Sequence, residues 1–112
     1  MGAPFPSFIT TLPGVWQGGA WAQAQAHAPA LATGHALLEA QLPGGGWPLG
    51  SMSELLLAPH ARHEWTLVLP ALAALLAAKP GRAVLVAPPL EPFMPSLQAA
   101  GVPVQRVCSV RP

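Results

Sequence analysis

The five residues Ala83–Ala87, with the sequence AVLVA, are the feature that most constrains the fold of this chain. They form a continuous apolar run that is bounded by Gly81 on one side and by Pro88 and Pro89 on the other. A short apolar run between turn signals is typical of a strand that is buried on both faces, as strands in parallel sheets are. We therefore predict a parallel sheet that contains this run and is covered on both faces.

The segments on either side of this run alternate between strand-like and helix-like patterns. Met52–Leu57 is a short apolar strand with Glu54 as its one charge, and Val104–Val110 is a further strand. Trp65–Lys79 and Phe93–Ala100 are predicted helices between them. The order strand, helix, strand, helix, strand gives right-handed crossovers and a parallel sheet of about three strands, with helices at its sides. This α/β arrangement is half of a doubly wound fold.

Two prolines affect the longer predicted helix. Pro70 lacks the N–H that a helix interior needs, so it either kinks the helix or shifts the regular part of the helix downstream. Pro80 and the glycine after it end the helix.

The first part of the chain predicts less regular structure. Residues 1–32 are rich in Pro, Gly, Ala and Gln, which predicts a flexible N-terminal arm. Trp16 and Trp21 in this arm either fill grooves of the domain or dock on a partner. The α/β domain then occupies residues 33–112.

That domain is predicted to begin with a short helix and an irregular loop. Thr33 is a predicted N-cap for two helical turns over His35–Leu42. PGGGWPLG, at residues 43–50, predicts irregular backbone because of its glycines and prolines.

Composition favours a protein that works through contacts with other proteins. Charged residues make up 8% of the chain and hydrophobic residues 52%, whereas about a quarter of the residues of an average domain are charged. A surface so poor in charge favours partner binding or self-association, and a sheet of about three strands leaves two long edges. We therefore predict a homodimer. The net charge of +1 and the absence of a basic stripe argue against direct, tight nucleic-acid binding.

The sequence also indicates a compartment. Cys108 is the single cysteine, so there is no disulfide framework within the chain, which fits a reducing environment. The start of the chain lacks the pattern of a signal peptide, and Trp65–Ala78 is too short to span a bilayer. The predicted location is cytoplasmic.

No pattern in the sequence predicts an enzyme, a metal site or a cofactor. The segment Ala58–Thr66 lies where a phosphate-binding loop would connect strand and helix, yet it has neither Gly nor Lys, and Glu64 would repel an anion. His60 and His63 are too few ligands for zinc. The chain has no Asp, and its serines lack a nucleophile motif. Nucleotide hydrolysis is not expected.

A family resemblance accompanies these patterns. TGHALLEAQLPGGGWPLGSMSELLL resembles the start of a RecA-type core, in which T-G-x-x-x-L-(D)-x-x-L precedes G-G-G-x-P-x-G and a strand that carries Glu just before the phosphate loop. The matching residues are Thr33, Gly34, Leu38, Leu42, Gly44–Gly46, Pro48, Gly50 and Glu54, with Glu39 in place of the usual Asp. LQAAGVPVQRVCSVRP, at residues 97–112, resembles the RecA-like segment A-x-x-L-G-V-(D)-x-x-x-(L)-x-x-x-x-P.

A RecA-like frame without its phosphate loop is characteristic of the SulA/ImuA group of SOS-response proteins, which this chain resembles over roughly residues 12–112. The resemblance implies a non-enzymatic protein of the DNA-damage response. Its SulA-like members inhibit cell division by binding the tubulin-like protein FtsZ and blocking its polymerisation. Its ImuA-like members assist translesion synthesis, with an error-prone polymerase-like protein or RecA as partner. LPGVW and GGGWPLG look most like ImuA, whereas the frame from residue 51 onward is comparable to SulA.

The resemblance to SulA also implies which residues contact FtsZ, the leading partner. Arg82 and Arg106 stand where SulA-type proteins carry basic residues on the FtsZ-facing surface, and Ser96 stands where they can carry an aromatic. Apolar neighbours of the two arginines would supply most of the affinity, with the arginines acting by steering and rim pairing. These predicted apolar residues are Leu90, Phe93 and Leu97.

Overall fold

The computed structural model of the protein describes residues 12–13, 18–19 and 26–112. Trp16, Trp21 and most of the predicted arm lie outside the described residues. Within them the regular elements, in chain order, are β1 (Ala30–Leu31), α1 (Ala36–Glu39), β2 (Trp47–Pro48), α2 (Glu64–Ala78), β3 (Ala83–Val86), α3 (Met94–Ala99), a 3₁₀ turn (Val104–Arg106) and β4 (Val107–Val110).

The parallel pair formed by β3 and β4 is the centre of the fold. The two strands pair in parallel register from Ala83 opposite Val107 to Val86 opposite Val110, with α3 in the connection between them. Leu76 of α2, Leu97 of α3 and Val102 form the buried core under one face of this pair. The predicted strand, helix and strand of this half of the chain are therefore confirmed. The 3₁₀ turn takes the place of the first three residues of the predicted last strand.

Helix α2 agrees with the predicted helix and contains Pro70 in its interior. Proline cannot donate the hydrogen bond that the carbonyl oxygen of Thr66, four residues earlier, would normally accept. That oxygen instead lies 2.9 Å from Nε2 of His35, so the imidazole donates in place of the missing N–H. Pro70 thus neither ends the helix nor shifts it, because the side chain of His35, the residue before α1, supplies the absent donor.

The segment around α1 is held by reciprocal side-chain bonds. The Thr33 hydroxyl accepts a hydrogen bond from the His35 N–H at 3.0 Å, and the Glu39 carboxylate accepts one from the Gly34 N–H at 3.0 Å. Gly34 has a φ of +81°, and a Cβ there would lie 2.6 Å from Cβ of Pro70. Glycine therefore permits both the turn and the close approach to α2.

Two predictions about this first half of the domain are wrong. Helix α1 begins at Ala36 and ends at Glu39, so it is shorter than the predicted His35–Leu42, and its N-cap is His35 instead of the predicted Thr33. The predicted irregular loop contains β2, which pairs antiparallel with β1. The connection between the two strands, which includes α1, returns the chain onto Ala30 and Leu31, so a glycine-rich sequence still forms a short ladder.

The predicted strand Met52–Leu57 is also wrong, because this segment forms no strand. Met52 is 94% exposed and Leu56 is 86% exposed. A strand needs a partner edge, and a segment that buries so little apolar surface does not offset the entropy lost by ordering its backbone. In the described residues the parallel sheet therefore has two strands instead of about three. The fold is mixed α/β, with one antiparallel and one parallel pair, and a RecA-like βαβαβ core is not confirmed.

Candidate protein-binding surface

The face of the β3–β4 pair that lies opposite the core carries exposed apolar side chains. Side chains alternate along a strand, so Val84 and Val86 of β3 and Cys108 and Val110 of β4 share the face opposite the core. The three valines are 57%, 67% and 44% exposed, in chain order, and Cys108 is also exposed. We call these four residues the open face.

An open face of this kind is unusual for parallel strands. Parallel sheets occur almost only with both faces covered, and strands with apolar side chains on both faces reflect that. Here only the face with Ala83 and Val107 packs against the core. The prediction that Ala83–Ala87 is buried on both faces is therefore wrong, although the prediction of a strand is correct. The apolar sequence of β3 is typical of a strand that is covered on both faces.

Arg82, Leu90 and Phe93 are exposed at the two ends of β3. Arg82 directly precedes the strand and has the same side-chain parity as Val84 and Val86, which places it at the border of the open face. Leu90 and Phe93 lie in the loop after the opposite end of the strand. Because a strand rises about 3.3 Å per residue, the four residues of β3 separate these two groups by about 13 Å.

Leu97 occupies a different position from the other predicted contact residues. It is 3% exposed and packs with Leu76 and Val102 in the core. Its side chain is therefore not part of the surface in this conformation. Leu97 lies in α3, and its side chain packs that helix onto the core.

The side chain of Arg106 is hydrogen-bonded at the carboxyl end of α2. Its guanidinium donates to the carbonyl oxygens of Leu76 and Lys79 at 2.6 Å each, and to that of Gly81 at 2.7 Å. The last carbonyl groups of a helix lack intrahelical donors, and a cation near them also interacts favourably with the helix dipole. Arg106 therefore fixes the turn from α2 into β3. Of the two predicted arginines, Arg82 is the one whose exposure suits contact with a partner.

The valines of the open face are surface residues that the sequence did not identify. A strand with one open face usually carries polar residues there, and Val84, Val86 and Val110 give no such signal. Only the low charge content indicated that apolar surface would remain exposed. The sequence pattern therefore placed the valines in a sheet interior, which the described residues do not complete.

The backbone near the carboxyl end of β3 contains two left-handed residues. Ala58, Pro59, His60 and Ala61 form a turn closed by a 3.0 Å bond from Ala61 N–H to Ala58 carbonyl oxygen, with a φ of +67° at His60. A positive φ at the third position of such a turn is characteristic of type II. Ala87, the residue after β3, has a φ of +47°. Both positions are strained for residues with a Cβ.

Potential ligand groups are sparse in the described part of the chain. No group of three or more His, Cys, Asp or Glu residues there is placed to hold a metal ion. The loop where a phosphate site would lie contains the turn at His60 and ends at Glu64, which begins α2. An acidic residue in the first turn interacts well with the helix dipole but repels phosphate.

Helix α2, with 15 residues, is the longest helix in the described residues. No helix described is long and apolar enough to cross a membrane.

Comparison with protein-family models, with curated proteins and with solved structures found no match to this chain. The class that the fold defines is therefore a small mixed α/β protein with a half-covered parallel pair.

Proposed function

We propose that this chain acts by binding another protein and has no enzymatic activity. The observation that carries the proposal is the open face, where three valines of a parallel pair are exposed. Covering apolar surface stabilises a complex by about 25 cal/mol per Å². A parallel pair with one bare apolar face is thus a favourable site for a partner surface.

The proposed partner is FtsZ, bound in the cytoplasm during the SOS response so that its polymerisation is blocked. Two features support this proposal: the resemblance to the SulA/ImuA group and the exposed Arg82 beside the open face. An arginine at the rim of an apolar surface steers an acidic partner and adds specificity more than affinity. Leu90 and Phe93 extend the apolar area at the other end of β3.

The test is sedimentation of FtsZ polymerised with GTP, with and without a stoichiometric amount of this protein. We expect less polymer in the pellet. The Val86→Asp substitution should restore the polymer because it places a charge within the apolar open face. The Arg82→Glu substitution should restore it in part and mainly at low salt.

Leu37→Asp is the matched control for Val86→Asp. Leu37 is highly exposed on α1, away from the open face, so the same apolar-to-acid change there should leave the inhibition intact. Arg106 is unsuitable for this test because its loss would also disturb the end of α2. Unchanged polymer with the wild-type protein would contradict the FtsZ proposal.

Translesion accessory function is the second candidate. It is favoured by the segment that resembles ImuA, which forms an ordered unit in which Thr33, Gly34 and Glu39 bond to one another. In this case the open face would bind a polymerase-like protein or RecA. Retention of either protein on the immobilised wild-type chain, lost with Val86→Asp and kept with Leu37→Asp, would support this candidate over the first.

Self-association through the same strands is the proposed resting state. In the described residues each strand of the parallel pair has one neighbour, so one edge of β3 is free for pairing with a second copy. We therefore expect a homodimer by light scattering at micromolar concentration. A clean monomer under these conditions would contradict that expectation.

A further inference from the structure

A separate cavity lies between the start of α2 and the loop that follows β3. Its volume is about 370 Å³, near the lower end of the range for small-ligand sites. Arg62, Glu64 and Trp65 form one wall, and the loop from Pro88 to Phe93 forms the other. None of the four open-face residues lines it. In open α/β sheets, ligands bind outside the carboxyl ends of the strands, which is where this cavity lies.

The walls of this cavity combine aromatic and acidic side chains. Trp65 and Phe93 contribute ring surface, and the three prolines of the loop add rigid apolar surface. The charged residues that line the cavity are Arg62, Glu64 and Glu91. Aromatic rings beside carboxylates favour a cation, because the ring faces are electron-rich and the carboxylates compensate the charge.

Glu64 has a carboxylate oxygen that lacks a hydrogen-bond partner. Its Oε2 atom is buried and has no hydrogen-bond partner. A buried carboxylate oxygen without a donor costs about 1–3 kcal/mol, more when charged, so a donor that reached it would be strongly favoured. The terminal torsion of a glutamate is broad, and the side chain as a whole is only partly buried. The proposal requires rotation about this torsion, so that an oxygen of Glu64 meets the ligand.

Glu91 differs from Glu64 because it already has partners. Its Oε1 accepts hydrogen bonds from Nε of Arg111 at 3.0 Å and from the Ser109 hydroxyl at 3.3 Å, and Nη2 of Arg111 lies 2.9 Å away. Arg111 thus offsets the charge of Glu91, and Arg62 opposes that of Glu64. Glu64 is consequently the carboxylate available for a ligand, and Arg62 would weaken the attraction for a cation.

We infer that this cavity receives an arginine side chain of a partner polypeptide. A guanidinium matches the site in two ways: its planar face stacks on aromatic rings such as Trp65 and Phe93, and its edge donates paired hydrogen bonds to a carboxylate such as Glu64. The cavity volume suits one long side chain. The inference is independent of whether FtsZ is the partner, because it rests on the cavity alone.

The test is titration of the full chain with Nα-acetyl-arginine amide, followed through the indole N–H signal of Trp65 in a nitrogen–proton correlation spectrum. Trp65→Phe identifies that signal among those of the four tryptophans. We expect a saturable shift of the Trp65 signal. The citrulline analogue, which has the same shape and no charge, should bind roughly tenfold more weakly, a difference of about 1.4 kcal/mol.

Two substitutions with opposite expected effects on arginine binding make the test specific. Glu64→Gln keeps the shape of the side chain and should weaken arginine binding roughly tenfold. Arg62→Gln removes the opposing charge and should tighten binding severalfold, an effect that a merely destabilised protein would not show. Glu54→Gln removes an exposed carboxylate outside this cavity and should change nothing.

Four results would overturn the inference. The first is equal binding of the arginine and citrulline probes. The second is undiminished arginine binding by Glu64→Gln in a protein whose other tryptophan signals are unchanged. The third is the absence of any shift of the Trp65 signal across the titration. The lysine analogue distinguishes a guanidinium site from a general cation site, and binding of lysine as tight as that of arginine would also contradict the assignment.

Discussion

Replacing Arg106 tests the role of a single side chain that donates hydrogen bonds to three carbonyl groups. In Arg106→Ala, the carbonyl oxygens of Leu76, Lys79 and Gly81 lose donors at 2.6–2.7 Å. Hydrogen bonds to a charged group contribute about 1.5–3 kcal/mol each when the partner left behind stays buried. The three bonds do not contribute equally, because the three acceptors differ in their access to water.

Leu76 is in the buried core, whereas Lys79 and Gly81 are exposed. Water can replace the donor at the two exposed carbonyls, so each loss costs about 0.5 kcal/mol, and the loss at Leu76 costs about 1.5–2 kcal/mol. The missing charge near the helix terminus adds about 0.3–1 kcal/mol. The expected reduction in the free energy of unfolding is therefore about 3 kcal/mol.

Urea denaturation followed by circular dichroism measures this reduction. With a slope of about 1.5 kcal/mol per M, a loss of 3 kcal/mol lowers the midpoint by about 2 M. Arg106→Lys keeps the charge but offers one ammonium group in place of a planar fork, so we expect about half of that loss. Arg82→Ala is the control, because replacing an exposed arginine directly before β3 should change stability by less than about 0.5 kcal/mol. Equal midpoints for Arg106→Ala and Arg82→Ala would refute this account of the α2 terminus.

Three further substitutions test the packing and the backbone. Leu97→Ala should lower the free energy of unfolding by about 2–5 kcal/mol, because it leaves a cavity in the core, and a loss below 1 kcal/mol in urea denaturation would contradict the burial of this residue. Gly34→Ala should cost about 1–3 kcal/mol, since its φ is +81° and its new methyl group would meet Pro70; an unchanged melting temperature would count against that contact. His60→Gly should raise the free energy of unfolding by about 0.5–1 kcal/mol by relieving the left-handed residue, and a lower melting temperature would argue against the type II turn.

The sequence predicted those elements whose local pattern and packing agree. The long apolar helix, the run after Gly81 and the helix that contains Leu97 formed within one or two residues of their predicted limits. Each of these elements contributes side chains to the core or packs against it, so hydrophobic periodicity and burial favour the same structure.

The predictions that were wrong concern long-range pairing. Met52–Leu57 has the composition of a strand, but a strand also requires a partner edge, and sequence patterns do not contain that information. The glycine-rich segment formed β2 because the chain between the two strands, which includes α1, brings Trp47 opposite Leu31. The role of Arg106 depends on contacts across 25 to 30 residues of sequence, so its position could not distinguish a surface contact from a helix cap.

The hydrogen bond between His35 and the Thr66 carbonyl also has an evolutionary consequence. A proline inside a helix leaves one carbonyl dependent on another part of the chain, so residues 35 and 70 form a coupled pair although they are distant in sequence. Substituting His35 should be more harmful with Pro70 than with alanine at that position, where the helix would supply its own donor. In homologous chains we therefore expect the two positions to co-vary, with a side-chain donor kept at position 35 wherever proline is kept at position 70.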